Sequence, residues 1–410
     1  MISIRMWSKL GRSSNKERMV GRFLLAASLM NVVIAVQLFP LLKNGYQDFT
    51  IFYGAGQLLR NGDAKLLYDL PAQDQLQRQF APHVEIRKAP LPYMHPPFEA
   101  LLFVPLARLN FLSAYLFWTL LNFLMLALTL AIVIRTFPEV AALSRTFVIL
   151  AALGFAPVAA ALLQGQDSIL LLLLVTASLA SIERHSDRAA GAMLGAGLFR
   201  FHLVLPLVII LAVRRPRLLL GFLPVAAGAV LLSAALVGWQ GLSVYAHLLL
   251  RLESGGAGGA ISPIGMPNLR GLIADLLGTH GGGAFRMWLT AVCSILIMAF
   301  AIWEVCRRPA PIHVVFALAV VTAIMLSYHS FPHDLTLLLP SILLLLAAQP
   351  EASSLQKSGR TILLLIMFVY ILFLGFPVWP KLDPLWFVPM LFGIYRGNLQ
   401  QTDRKVLHTS

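Results

Sequence analysis

The residues that could do chemistry gather in short polar clusters at the edges of long apolar runs. They are Asp48, His95 with Glu99, Gln166 with Asp167, Arg200 with His202, Asn268 with Arg270, and His329 with His333 and Asp334. A carboxylate beside lipid suits the removal of a proton from a hydroxyl, and a cation beside it suits an anionic leaving group. Asp48, at the head of Asp48-Phe49-Thr50-Ile51-Phe52-Tyr53-Gly54-Ala55-Gly56, is the candidate general base. Arg200, His202 and Arg270 are the candidate phosphate-binding residues. His95, Glu99, Gln166, Asp167, Asn268, His329, His333 and Asp334 are candidates for the remaining substrate contacts.

Each candidate has a plainer reading. Asp48 and Asp334 are also favoured helix N-caps. Arg200 could be ion-paired within the fold, and His202 could bond only a carbonyl. His329 and His333 stand four apart, as metal ligands on a helix do, but Pro332 interrupts that helix and no metal is expected from this set. Trp118 and Trp386 read as anchors at a membrane interface.

The elements that must hold these residues are membrane helices. The chain has 410 residues, is 58% hydrophobic and only 12% charged, and its mean hydropathy is +0.78. A soluble globular protein is about 25% charged. Successive apolar runs are long enough to cross hydrocarbon, which takes about 20 residues in a helix. Basic residues exceed acidic ones, 32 to 18, but they fall in short loops where they orient spans toward the cytoplasm. Nucleic acid is therefore not expected as a partner. Cys293 and Cys306 share one predicted helix and stand too far apart to bridge.

Positive-inside logic gives an all-α polytopic protein of about 11–12 segments as a single membrane domain, both termini cytoplasmic, in the cell membrane. The first span covers 22–42. An outer loop over 43–110 carries an amphipathic helix at 49–60 and an interfacial helix at 96–106. Spans follow at 111–134, 146–163 and 168–182. Further spans are expected at 218–238, 285–306, 312–327, 335–348, 361–377 and 384–395, with a second outer loop, a possible lid, over 239–284.

The stretch 189–213 breaks the pattern. As one span it would bury Arg200 in mid-bilayer and strand Arg214, Arg215 and Arg217 outside. Two short helices, 189–198 and 203–213, meeting near Arg200 at a water-filled cavity remove both conflicts. All the polar clusters then lie on the outer face. Cytosolic nucleotides do not reach that face, so an activated donor must arrive in the membrane, and a polyprenyl-phosphate-linked sugar fits. A secondary transporter or lipid flippase built on the broken segment is the alternative.

The run Asp48 to Asp69 and the stretch from His95 to Leu109, ahead of a Trp118-containing span, resemble glycosyltransferase family 87. So do GQDSILLLLL, AGAMLGAGLFRFHLVLPLVIIL, MPNLRGL and SYHSFPHDLTLLLP, and the resemblance covers about 22–345. Family members often carry Lys-Pro where this chain has Arg200-Phe201, and Asn where it has Ser168. The resemblance implies a GT-C fold and inverting, metal-free transfer of mannose from a polyprenyl-phosphate donor, with Asp48 as base and no cofactor. The acceptor would be a glycolipid or cell-envelope glycan.

Overall fold

The computed structural model describes residues 15–82, 91–253, 263–264, 266–278, 282–307 and 310–347. The expected segments 361–377 and 384–395, Trp386, and most of the glycine-rich part of the second loop lie outside the described residues. Among those described there is no strand: the chain is an all-α integral membrane protein.

The helices are α1 (Asn15–Leu42), α2 (Phe49–Arg60), α3 (Leu70–Phe80), α4 (Phe111–Thr136), α5 (Arg145–Leu153), α6 (Ala156–Gln164) and α7 (Ser168–Glu183). They continue with α8 (Asp187–Ala196), α9 (Phe201–Arg214), α10 (Leu219–Glu253), α11 (Leu269–Leu277), α12 (Gly282–Arg307), α13 (Ile312–Leu326) and α14 (Leu339–Ala347). Among the described residues, five stretches are long and apolar enough to cross a membrane, or six if the bent pair α5 and α6 counts as one span.

The expected span 146–163 is that bent pair, with its halves at 58°. Pro157 in the first turn of α6 explains the bend. Proline offers no N–H, so the Leu153 carbonyl four residues earlier loses its helical partner. Asn31 of α1 replaces it, donating from Nδ2 to Leu153 O at 2.8 Å.

Residues 187–214 also have the length of a span, but they double back. A straight helix of this length would extend about 40 Å at 1.5 Å per residue. Instead Arg215 Nη1 lies 3.9 Å from Asp187 Oδ1, so the two ends meet. The crossing with α10 relies on glycine: a Cβ on Gly191 would come 1.9 Å from Leu218 O, and one on Gly221 1.8 Å from Arg188 O. The turn of the hairpin is a 3-10 segment, Gly197–Arg200. The expected break at Arg200 is thus a helical hairpin with Arg200 at its tip.

Three expectations for the loops change. The segment expected as an interfacial helix at 96–106 is a 3-10 turn, Pro97–Phe103, with Pro97, Glu99, Ala100 and Phe103 buried. Gly56 lets α2 settle on it, since a Cβ there would stand 2.6 Å from Phe103 O. Helix α10 breaks at Gly238 (φ 70°, ψ 176°), where the span was expected to end, but the expected loop beyond it opens with a second helical stretch to Glu253. Its second half packs on the first loop, with the Tyr245 and Tyr68 rings stacked at 4.8 Å and Tyr245 OH donating to Met94 O at 3.2 Å. Trp118 is no interface anchor: it is buried, and its indole N–H donates to Gly165 O at 2.9 Å.

Two packed regions result. The helices α4 to α9, α13 and α14 share the main apolar core, and the first loop forms a second, aromatic core against α4. The polar clusters lie between them.

Candidate functional site

Asp48 precedes α2, yet its side chain makes no capping bond. The loop Gln164-Gly165-Gln166-Asp167 between α6 and α7 holds it instead. Gln164 Oε1 accepts the Asp48 backbone N–H at 3.1 Å, and Gln166 Nε2 donates to Asp48 Oδ2 at 2.8 Å. Gly165 makes this approach possible. It adopts φ +62°, and a Cβ there would sit 2.7 Å from the Cβ of Phe49. Asp48 stays half-buried while Phe49 beneath it is fully buried, so the carboxylate keeps an open side.

Gln166 also faces Arg200, accepting from its Nη2 through Oε1. The amide orientation is forced, because a guanidinium only donates and a carboxylate only accepts. Arg200 is 2% exposed. Its Nε donates to Asp167 Oδ1 at 2.8 Å, its Nη2 reaches the same oxygen, and its Nη1 lies 3.4 Å from Asp334 Oδ1. Asp334 accepts from Ser168 Oγ at 3.2 Å and from the Phe331 backbone N–H at 2.9 Å. Asp334 is therefore a cap and an ion-pair partner at once. His333 adjoins it, Nε2 to Oδ2 at 3.7 Å.

The far side of Asp167 meets the first loop. His95 Nδ1 stands 2.8 Å from Glu99 Oε2 and 3.6 Å from Asp167 Oδ2. Tyr93 OH donates to Glu99 Oε2 at 3.2 Å, and Tyr68 OH fixes the His95 carbonyl at 2.7 Å. Burial, followed by the charge of Asp167, raises the Glu99 carboxyl well above the usual range. Burial pushes Asp167 upward too, but Arg200 outweighs it and holds that carboxyl below its usual value. Burial and then Arg200 lower His95 to about 3, so its imidazole is neutral.

A second set adjoins the first through the loop after α13. Asn268 caps α11 through Oδ1 and donates Nδ2 to Ser327 O, both at 2.8 Å. Arg270 Nη1 donates to Tyr328 O at 2.8 Å. His202 Nδ1 bonds Ser327 Oγ at 2.7 Å, and its ring centre lies 6.4 Å from that of His329. Arg270 and His202 are half-buried.

The structure thus joins Asp48, Gln166, Arg200, Asp167, Glu99, His95, Asp334 and His333 in one network. Asn268, Arg270, His202 and His329 surround the neighbouring loop. Sequence reasoning missed Tyr93, Gln164 and Ser327. Gln164 had a signal, being the first residue of the glycine turn that presents Gln166; Tyr93 and Ser327 had none.

A buried acid–guanidinium network thus lies at the loop ends of a membrane bundle, with the Asp48 carboxylate half-buried beside it. The sequence model of Glycosyltransferase family 87 matches residues 93–328, and the chain belongs to that family. His329, His333 and Asp334 fall just past the end of the match, and Asp48 lies well before its start. No curated protein and no solved structure matches the chain.

Proposed function

We propose that this glycosyltransferase moves mannose from a polyprenyl-phosphate-mannose donor to a glycolipid or cell-envelope glycan on the outer face of the membrane, with inversion. The supporting observation is the Asp48 carboxylate, half-buried, held by Gln166 and not spent on capping its helix. In this reading the acceptor hydroxyl gives its proton to Asp48 as its oxygen attacks the anomeric carbon, and the polyprenyl phosphate leaves from the opposite side. Arg270 and His202 keep exposed surface and meet the phosphate. Arg200, whose donors face Gln166, Asp167 and Asp334, acts from beneath by fixing Gln166 and Asp167. The all-α membrane bundle supports the GT-C reading, and the basic loop residues Arg184, Arg188, Arg214 and Arg215 lie at the opposite ends of α7, α8 and α9, which favours an outward site.

The test is transfer by the purified full chain in nanodiscs, with polyprenyl-phosphate-mannose compared with a pentose analogue. Asp48→Asn is expected to lower kcat by about 10²–10⁴-fold while donor binding is kept. Transfer at the parental rate by Asp48→Asn would remove Asp48 as the base. Preference for the pentose donor would replace mannose.

A further inference from the structure

Glu99, Asp167 and Asp334 are each 0% exposed, and among the described residues Arg200 is the only buried arginine or lysine. Asp334 has its partners in Ser168, Phe331 and Arg200. Glu99 and Asp167 do not: Glu99 Oε1 and Asp167 Oδ2 have no hydrogen-bond donor, and His95 Nδ1 has no partner of hydrogen-bonding geometry. Buried polar atoms are rarely left so, and a buried charge without compensation costs several kcal/mol. His95 Nδ1 stands 2.8 Å from Glu99 Oε2 and 3.6 Å from Asp167 Oδ2, so the three side chains converge. One ligand atom from each of His95, Glu99 and Asp167 lies within 4.8 Å of the others.

We propose that His95, Glu99 and Asp167 bind one divalent cation of the Mn²⁺ or Mg²⁺ class. Two ligands on opposite sides of an ion at about 2.1–2.4 Å stand about 4.2–4.8 Å apart, so the observed spread needs little movement. Two carboxylate oxygens and one imidazole suit a hard cation that tolerates nitrogen, and Mn²⁺ meets that description. The rest of the ligand set is already braced. Asp167 keeps Oδ1 on Arg200 and presents Oδ2, while Tyr93 OH steadies Glu99. The sequence expectation of no metal rested on His329, His333 and Asp334 and on the family resemblance; the proposed ion runs against it at a different triad, which Asp167 links through Arg200 and Gln166 to Asp48.

The full chain, purified in detergent and stripped with EDTA, would be titrated with Mn²⁺ and followed by electron paramagnetic resonance. About one bound ion per chain is expected, with a nitrogen coupling from His95. Glu99→Gln should weaken binding by at least 10-fold, and His95→Asn should remove the nitrogen coupling. Asp48→Asn should bind Mn²⁺ as the parent does, so loss of transfer and loss of metal are read separately. A parent chain that takes up no Mn²⁺, or binds it without a nitrogen coupling, overturns the proposal. So does a Glu99→Gln chain that elutes like the parent and titrates identically.

Discussion

Replacing Arg200 by Gln should destabilise the whole bundle, not only its chemistry. The guanidinium contacts Asp167 and Asp334, both fully buried, and it supports Gln166. Glutamine fills part of the space but brings no charge. Two buried carboxylates then lose their guanidinium, Asp334 keeping only its bonds from Ser168 and Phe331, and removing one partner of a buried pair costs about 3–5 kcal/mol. One kcal/mol moves the Tm of a 150–250-residue protein by about 2–4 °C, and a larger chain by less. A fall of roughly 4–10 °C is therefore expected, read by thermal unfolding of the detergent-purified chain. The double variant Arg200→Gln with Asp167→Asn should recover part of that loss, because it removes one of the orphaned charges. An Arg200→Gln chain as stable as the parent, or a double variant that simply sums the single losses, would show that no buried ion pair is at work.

Gln166→Leu should keep most of the stability of the parent but lower kcat by about 10-fold or more, because Asp48 Oδ2 loses the amide that aims it; KM for the donor should hold. Asn31→Leu should cost about 1–3 kcal/mol, the penalty for a buried carbonyl left without a donor at the proline break, and it is measured as a lower Tm with unchanged kcat. Gly56→Val should destabilise by at least about 1–3 kcal/mol, since a side chain would collide with the Phe103 carbonyl 2.6 Å from its Cβ, and it should expose the first loop to limited proteolysis.

Much of the fold was legible because its signals are strong. Apolar length sets the helices, and the arginines at 200, 214 and 215 conflict with a single crossing, which predicts the hairpin before its closed ends are seen. The bend at Gly154 and Pro157 was written in the sequence too, but proline in the first turn of a helix looks the same whether a span starts or breaks. The continuation of α10 past Gly238 was not legible. Trp239 and Gln240 resemble an exit from the membrane, and only the packing of Tyr245 on Tyr68 gives that stretch a reason to be helical. Trp118 misled for a similar cause: the sequence cannot tell an indole at a bilayer edge from one that meets a buried carbonyl.

The candidate site shows the same division between what pattern and packing each supply. Residue type and position relative to the spans pick out Asp48, Asp167, Arg200 and Asp334, because ionisable groups beside long apolar runs are costly unless something uses them. They do not say which charges cancel. Arg200 was expected to present its cation to a phosphate, yet three side chains from two other loops converge on it. The consequence is chemical. A guanidinium occupied by carboxylates fixes the groups around it, so in the proposed reaction the half-buried Arg270 and His202, and not Arg200, are the ones left to meet the donor phosphate.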